Sequence, residues 1–162
     1  MDDRIPLSQA DAEALMGLAL AEAARAEGEG EVPVGCVIVR SGEVIATGRN
    51  HRERSHDPTG HAEMQAIRAA AALLGSWRLD DCLLVVTLEP CAMCAGAMVN
   101  ARISGCVYGC GDPKGGFMGS LGSLNAIPAL NHRFPAWAGV REAECSEQLK
   151  SFFRSLRRKR IL

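Results

Sequence analysis

The chain has 162 residues, of which 48% are hydrophobic and 23% charged, and its 18 basic and 19 acidic side chains give a net charge of −1. That balance excludes a disordered or collagen-like chain, and no run of about 18 apolar residues exists to cross a membrane as a helix. The length is that of one domain with a core large enough to need no staples, so residues 1–162 are expected to form a single domain.

The opening Met1-Asp2-Asp3-Arg4 is acidic and lacks the basic-then-apolar layout of an export signal, so a cytoplasmic protein is expected. A helix is predicted over residues 8–27, with Ser8 as N-cap and an apolar face through Ala12, Leu15, Met16, Ala19 and Ala23. Two β-rich runs, 34–39 and 44–48, flank Arg40-Ser41-Gly42-Glu43 and read as a hairpin. A polar loop over 50–60 leads to a second helix over 61–74, closed by Gly75. The nearly unbroken apolar run 82–88 suits a strand covered on both faces, and it feeds an Ala-rich helix over 91–101. Another strand follows over 103–110. Residues 111–137 are rich in Gly, Pro, Ser and Asn and read as an ordered functional loop, with a short helix near 120–126. A strand near 140 and a helix over 146–159 end the chain. This order predicts a three-layer α/β/α fold around a mixed five-stranded sheet.

Two helix starts carry chemistry. One is His61-Ala62-Glu63 and the other is Pro90-Cys91-Ala92-Met93-Cys94. Cys91 and Cys94 lie about one turn apart at a helix N-terminus, where the dipole and free amides favour the thiolate that binds zinc. With His61 they supply three ligands to one Zn²⁺ and leave the fourth position open for water, as in catalytic zinc sites. Glu63 need not ligate the metal and suits a proton shuttle. H-x-E followed by P-C-x-x-C is the known signature of the zinc nucleobase deaminases. A lone C-x-x-C also serves redox chemistry, and a closed structural zinc would recruit a fourth ligand from Cys82, Cys106, Cys110, His51 or His56. Of the seven cysteines, Cys36, Cys82, Cys106, Cys110 and Cys145 read as small buried hydrophobes, and an odd count fits reduced thiols better than disulfides.

Charge is laid out unevenly. Residues 1–31 hold eight acidic side chains and two arginines, whereas 154–160 hold five basic side chains and no acid. Without those five the chain has 13 basic and 19 acidic groups, a net −6. A basic tail on an acidic body fits an anionic partner such as RNA, and equally fits a solvated helix end whose cations suit the dipole.

Further segments are spread over nearly the whole chain: Glu31-Val32-Pro33-Val34-Gly35, Asp57-Pro58-Thr59-Gly60 before the histidine, Val86-Thr87-Leu88-Glu89 before Pro90, Asn131-His132-Arg133, and Ser151-Phe152-Phe153-Arg154. Together with Asp112-x-Lys114 and Gly119-Ser120, they closely resemble the bacterial tRNA-specific adenosine deaminases, a branch of the cytidine deaminase superfamily. The resemblance implies a cytidine deaminase-like fold, one Zn²⁺ per chain on His61, Cys91 and Cys94, and Glu63 as proton shuttle. It implies conversion of the wobble adenosine of a tRNA anticodon to inosine by a homodimer, with the anticodon stem-loop as partner. It places Asn50 on the flipped nucleoside and Asp112 on the anticodon-loop backbone. Phe152 and Phe153 read either as base-stacking residues or as buried core, and Arg154 opens the basic segment expected to meet RNA phosphate. Asn50 and Asp112 also read as turn residues. Pro113, Gly115 and Phe117 depart from a familiar Asp-Ala-Lys-Thr-Gly-Ala form of the loop, and Gly60 stands where alanine is common. A deaminase of a free base or nucleoside, of guanine or cytosine type, is the alternative. A non-catalytic subunit with structural zinc is another, but it would be expected to lack the Glu63 carboxylate.

Overall fold

The computed structural model describes residues 4–161. Helix α1 (Gln9–Gly28) starts where Ser8 Oγ accepts the Asp11 amide at 3.0 Å, and it buries Ala12, Met16, Ala19 and Ala23. Strands β1 (Gly35–Arg40) and β2 (Glu43–Arg49) form the expected hairpin, with Arg40 opposite Glu43. The two-residue turn needs left-handed backbone at both positions, and Ser41 and Gly42 have φ of 52° and 80°. A four-residue helix, α2 (Arg52–Ser55), lies inside the segment expected to be a plain loop. The chain continues through α3 (Ala62–Leu74), β3 (Cys82–Leu88), α4 (Ala92–Ala101), β4 (Gly105–Cys110), a 3₁₀ turn (Leu124–Ala126), β5 (Ala136–Ala138) and α5 (Glu142–Ile161).

The sheet order is β2-β1-β3-β4-β5, antiparallel across β2, β1 and β3 and parallel across β3, β4 and β5. Alternation along the strands divides the core in two. Cys36, Ile38, Leu84, Val86 and Cys106 face α3 and α4, where Ala66, Ala70 and Met98 cover them. Val37, Val39, Leu83, Val85 and Val107 face Met16 and Ala19 of α1 and Cys145 of α5. The three-layer expectation is met. Each fully buried Ile, Leu or Met here contributes about 1.5–3 kcal/mol.

Several boundaries differ from expectation: β4 starts at Gly105 rather than 103, and the short helix near 120–126 is a 3₁₀ turn over Leu124–Ala126. The last strand pairs Trp137 with Val107 and stops before buried Val140, because Gly139 turns the chain at φ 85°. The final helix begins four residues earlier than 146, at Glu142, where Glu142 and Glu144 suit the positive end of the dipole. Gly48 sets the height of α3 over β2: a Cβ there would lie 2.1 Å from the Ala62 carbonyl oxygen. That close approach seats the start of α3 beside the end of β3.

Candidate active site

His61 and Cys91 are each the N-cap of a helix, His61 of α3 and Cys91 of α4, one residue before the helices proper, whereas the sequence reading counted both as the first helical residue. Both have extended backbone, at φ −82° and −74°, which turns their side chains toward the same point. Cys94 follows on the first turn of α4 and is fully buried. His61 Nδ1 lies 3.6 Å from Cys91 Sγ and 3.6 Å from Cys94 Sγ. Zinc bonds of about 2.3 Å to sulfur and 2.0–2.1 Å to nitrogen, meeting at a tetrahedral angle, place N and S roughly 3.5–3.6 Å apart. Both N–S edges already have that length, and the three donor atoms lie within 4.8 Å of one another, so they fit one Zn²⁺. Among the described residues the metal-competent group comprises these three alone. The five other cysteines are buried and stand outside it, as do His51 and His56, so the donors for a closed structural site are not gathered here.

The thiols are unlike. A hydrogen bond with Cys94 and the nearby His61 bring Cys91 down to about 4 against the cost of burial. The same bond, with burial, drives Cys94 up. Hydrogen bonding to Cys91 raises His61.

Glu63, in the first turn of α3, is 4% exposed, and burial pushes its carboxyl up to about 7. A carboxyl poised near neutrality can both take and return a proton. It shares a cavity of about 230 Å³ with His61 and Cys91, walled by Val32, Val34 and Leu88 and rimmed by Asn50, Asp112 and Phe153. Two zinc donors, the shuttle candidate and three of the five expected substrate residues therefore line one cavity, and the third donor, Cys94, lies 3.6 Å from His61 Nδ1.

Asn50 Nδ2 donates to the Val32 carbonyl at 3.2 Å and Oδ1 accepts the Arg52 amide at 3.1 Å, so it fixes its own turn while facing the cavity. Asp112 Oδ1 likewise accepts the amides of Lys114 and Gly115, both at 3.1 Å. Both turn readings hold alongside the cavity placement. Phe153 is 41% exposed and meets Phe152 edge to face at 5.4 Å. Arg154 pairs with Glu147 and lies in a neighbouring groove with Lys150, Arg157 and Phe153. Phe152 and Arg154 stand outside the cavity.

Two buried carboxylates, quoted above only as parts of longer segments, have roles that the sequence does not assign. Glu31, wholly buried, accepts the amides of Glu53 and Arg54 at 3.2 and 2.7 Å and so caps α2. Glu89, 2% exposed, accepts the amides of Asp112, Met118 and Ser120 and the Ser120 hydroxyl. Burial works to raise the Glu89 carboxyl, but these donors outweigh it and hold it below the usual range. An acid ending an apolar strand was the one available signal.

A metal site with an open position beside a buried acid, at the floor of a cavity, defines a metal-assisted hydrolase. Residues 9–110 match the cytidine and deoxycytidylate deaminase zinc-binding region. The chain is 47% identical to the tRNA-specific adenosine deaminase of Bacillus subtilis over 148 residues, 91% of this chain and 92% of the relative. It is 43% identical over 158 residues to the enzyme of the same name from Streptococcus pyogenes serotype M1, covering 97% and 92%. A structure solved for A-to-I editing by tRNA:A34 deaminases at the wobble position superposes with TM-score 0.81 at 43% identity, over 84% of this chain and 99% of that one. The guanine deaminase of Bacillus subtilis superposes with TM-score 0.60 at 35% identity, over 76% and 82%. The chain belongs to the zinc-dependent cytidine and deoxycytidylate deaminase family, in the branch of the tRNA-specific adenosine deaminases.

Proposed function

We propose that this chain deaminates the wobble adenosine of a tRNA anticodon to inosine, consuming water and releasing ammonia. The observation that carries the reading is continuity: the cavity holding His61, Cys91 and Glu63 shares Phe153 with the groove of Lys150, Arg154 and Arg157. A base can enter the first while its phosphates run along the second. An extruded base and a basic track are what deamination within RNA requires. His61, Cys91 and Cys94 would hold Zn²⁺, which when bound would supply Lewis-acid activation of water at neutral pH. Glu63 accepts one proton from the attacking water and delivers it to the ring nitrogen. It then takes the proton of the hydroxyl newly bonded to the ring carbon and passes it to the amine, which leaves as ammonia as the carbon–nitrogen bond breaks. Val32, Val34 and Leu88 exclude bulk water and hold the base edgewise, with Asn50 at the rim. Phe153 stacks on a base at the mouth, and Asp112 meets the backbone.

A free-base deaminase of guanine type is the second reading, favoured by the likeness to the guanine deaminase structure. A small substrate makes no use of the adjoining basic groove. Zinc-loaded protein incubated in parallel with total tRNA, adenosine, guanine and cytidine separates the two. Inosine in tRNA with the free compounds untouched is expected; turnover of guanine or cytidine and none of tRNA would overturn the proposal.

Three further points belong to this reading. One sheet with both faces covered supports a single deaminase domain over residues 1–162. Among the described residues no helix is long and apolar enough to cross a membrane. A tRNA substrate supports a cytoplasmic enzyme. Met64, Ile67 and Met93 of α3 and α4 are only partly buried, which suits a homodimer through that layer. Sedimentation at micromolar concentration reads the dimer directly.

A further inference from the structure

Glu89 is a buried carboxylate that the chemistry above leaves unused. Its Oε2 accepts the Asp112 amide at 2.8 Å and the Ser120 hydroxyl, and its Oε1 accepts the amides of Met118 and Ser120 at 3.0 and 2.9 Å. All four donors come from residues 112–120. The same segment is strapped to the zinc-ligand turn, where Phe117 N donates to the Pro90 carbonyl at 2.9 Å and Gly116 bridges Cys91. The loop passes so near that a Cβ at Gly116 would lie 2.2 Å from the Glu89 carboxyl carbon. Asp112, carried by this loop, lies on the cavity rim.

We propose that Glu89 is a positioning residue for substrate recognition: its carboxylate ties residues 112–120 to the end of β3 and so holds Asp112 where the RNA backbone passes. This rests on the reading of Asp112 given under Proposed function. The geometry names a sharp variant. Glu89→Gln keeps size and shape but replaces one acceptor with an amino group. Met118 N and Ser120 N require the remaining oxygen, so the amino group faces the Asp112 amide, donor against donor. The Ser120 hydroxyl can rotate to accept; a backbone amide cannot.

The test is a cycle of Glu89→Gln, Asp112→Ala and the double variant, read on an anticodon stem-loop with zinc content and melting temperature as controls. Removing an interaction made equally in ground and transition states raises KM and leaves kcat. Glu89→Gln is expected to keep one zinc per chain and raise KM at least about fivefold, with kcat changed less than about twofold. In the Asp112→Ala background it should add less than about twofold, because the two act as one unit. Zinc loss in Glu89→Gln, a fall in kcat alone, or effects that multiply independently would overturn the proposal while leaving Asp112 in its role. An unchanged KM in Asp112→Ala would remove that role, and this proposal with it.

Discussion

Glu63 stands two residues beyond the metal donor His61 yet is outside the group of atoms that could hold an ion. Its replacement should therefore separate two properties that zinc enzymes usually lose together. Glu63→Ala is expected to retain one zinc per chain while turnover falls about 10²–10⁴-fold or more. Cys91→Ala should lose zinc and thermal stability together, since metal binding is coupled to folding. Metal analysis and melting curves on both purified variants decide it; a zinc-free Glu63→Ala protein would refute the shuttle assignment. The metal donors and Glu63 were legible in the sequence because helix starts, thiol spacing and H-x-E are local patterns. Glu31 and Glu89 were not. Their partners lie 22 to 31 residues away in sequence, and no local pattern encodes a carboxylate that caps a distant loop.

At the level of elements, α1, β2 and α2 are laced together by one acid. Glu29 accepts from Arg49 Nε and Nη2 at 3.1 and 2.8 Å and pairs with Arg54 at 3.1 Å. The Arg49 hydrogen bonds, with the charges of Arg49 and Arg54, hold its carboxyl at about 2 rather than 4.5. A depressed folded pKa contributes stability that is present above the unfolded value and lost as pH falls through the folded one. Glu29→Gln should thus unfold at lower urea than the parent at pH 7, and the gap should close between about pH 4.5 and pH 2. A gap independent of pH would show that the ion pairs do not hold α2 in place. Long periodic elements such as α1 and α3 were readable to within a residue. The ends of β5 and α5 were not, because hydrophobicity marked Val140 as strand while the left-handed turn at Gly139 ends pairing first. α2 was hidden for a different reason: four polar residues carry no periodicity, and its cap is the remote Glu31.

Over the whole molecule, the acidic body and the basic end of α5 pull in opposite directions on an RNA. With the five cations of residues 154–160 set aside, the remainder sums to −6, so phosphate binding is expected to lean on this helix. Deleting residues 154–162 should weaken tRNA binding and flatten its salt dependence by roughly 0.7–0.9 in log–log slope for each phosphate no longer neutralised. Zinc content should be unaffected, because the metal donors lie at the starts of α3 and α4. Equal binding by full-length and truncated protein at every salt concentration would reduce the tail to a solvated helix end whose cations answer the dipole. The reaction is confined both chemically and by position: one adenosine, at the wobble position, becomes inosine. Sequencing tRNA before and after incubation with the zinc-loaded protein tests it most directly, since inosine is read as guanosine. A-to-G changes are expected at the first anticodon position alone, abolished in Glu63→Ala. Changes scattered over other adenosines, or none while free guanine is consumed, would contradict it.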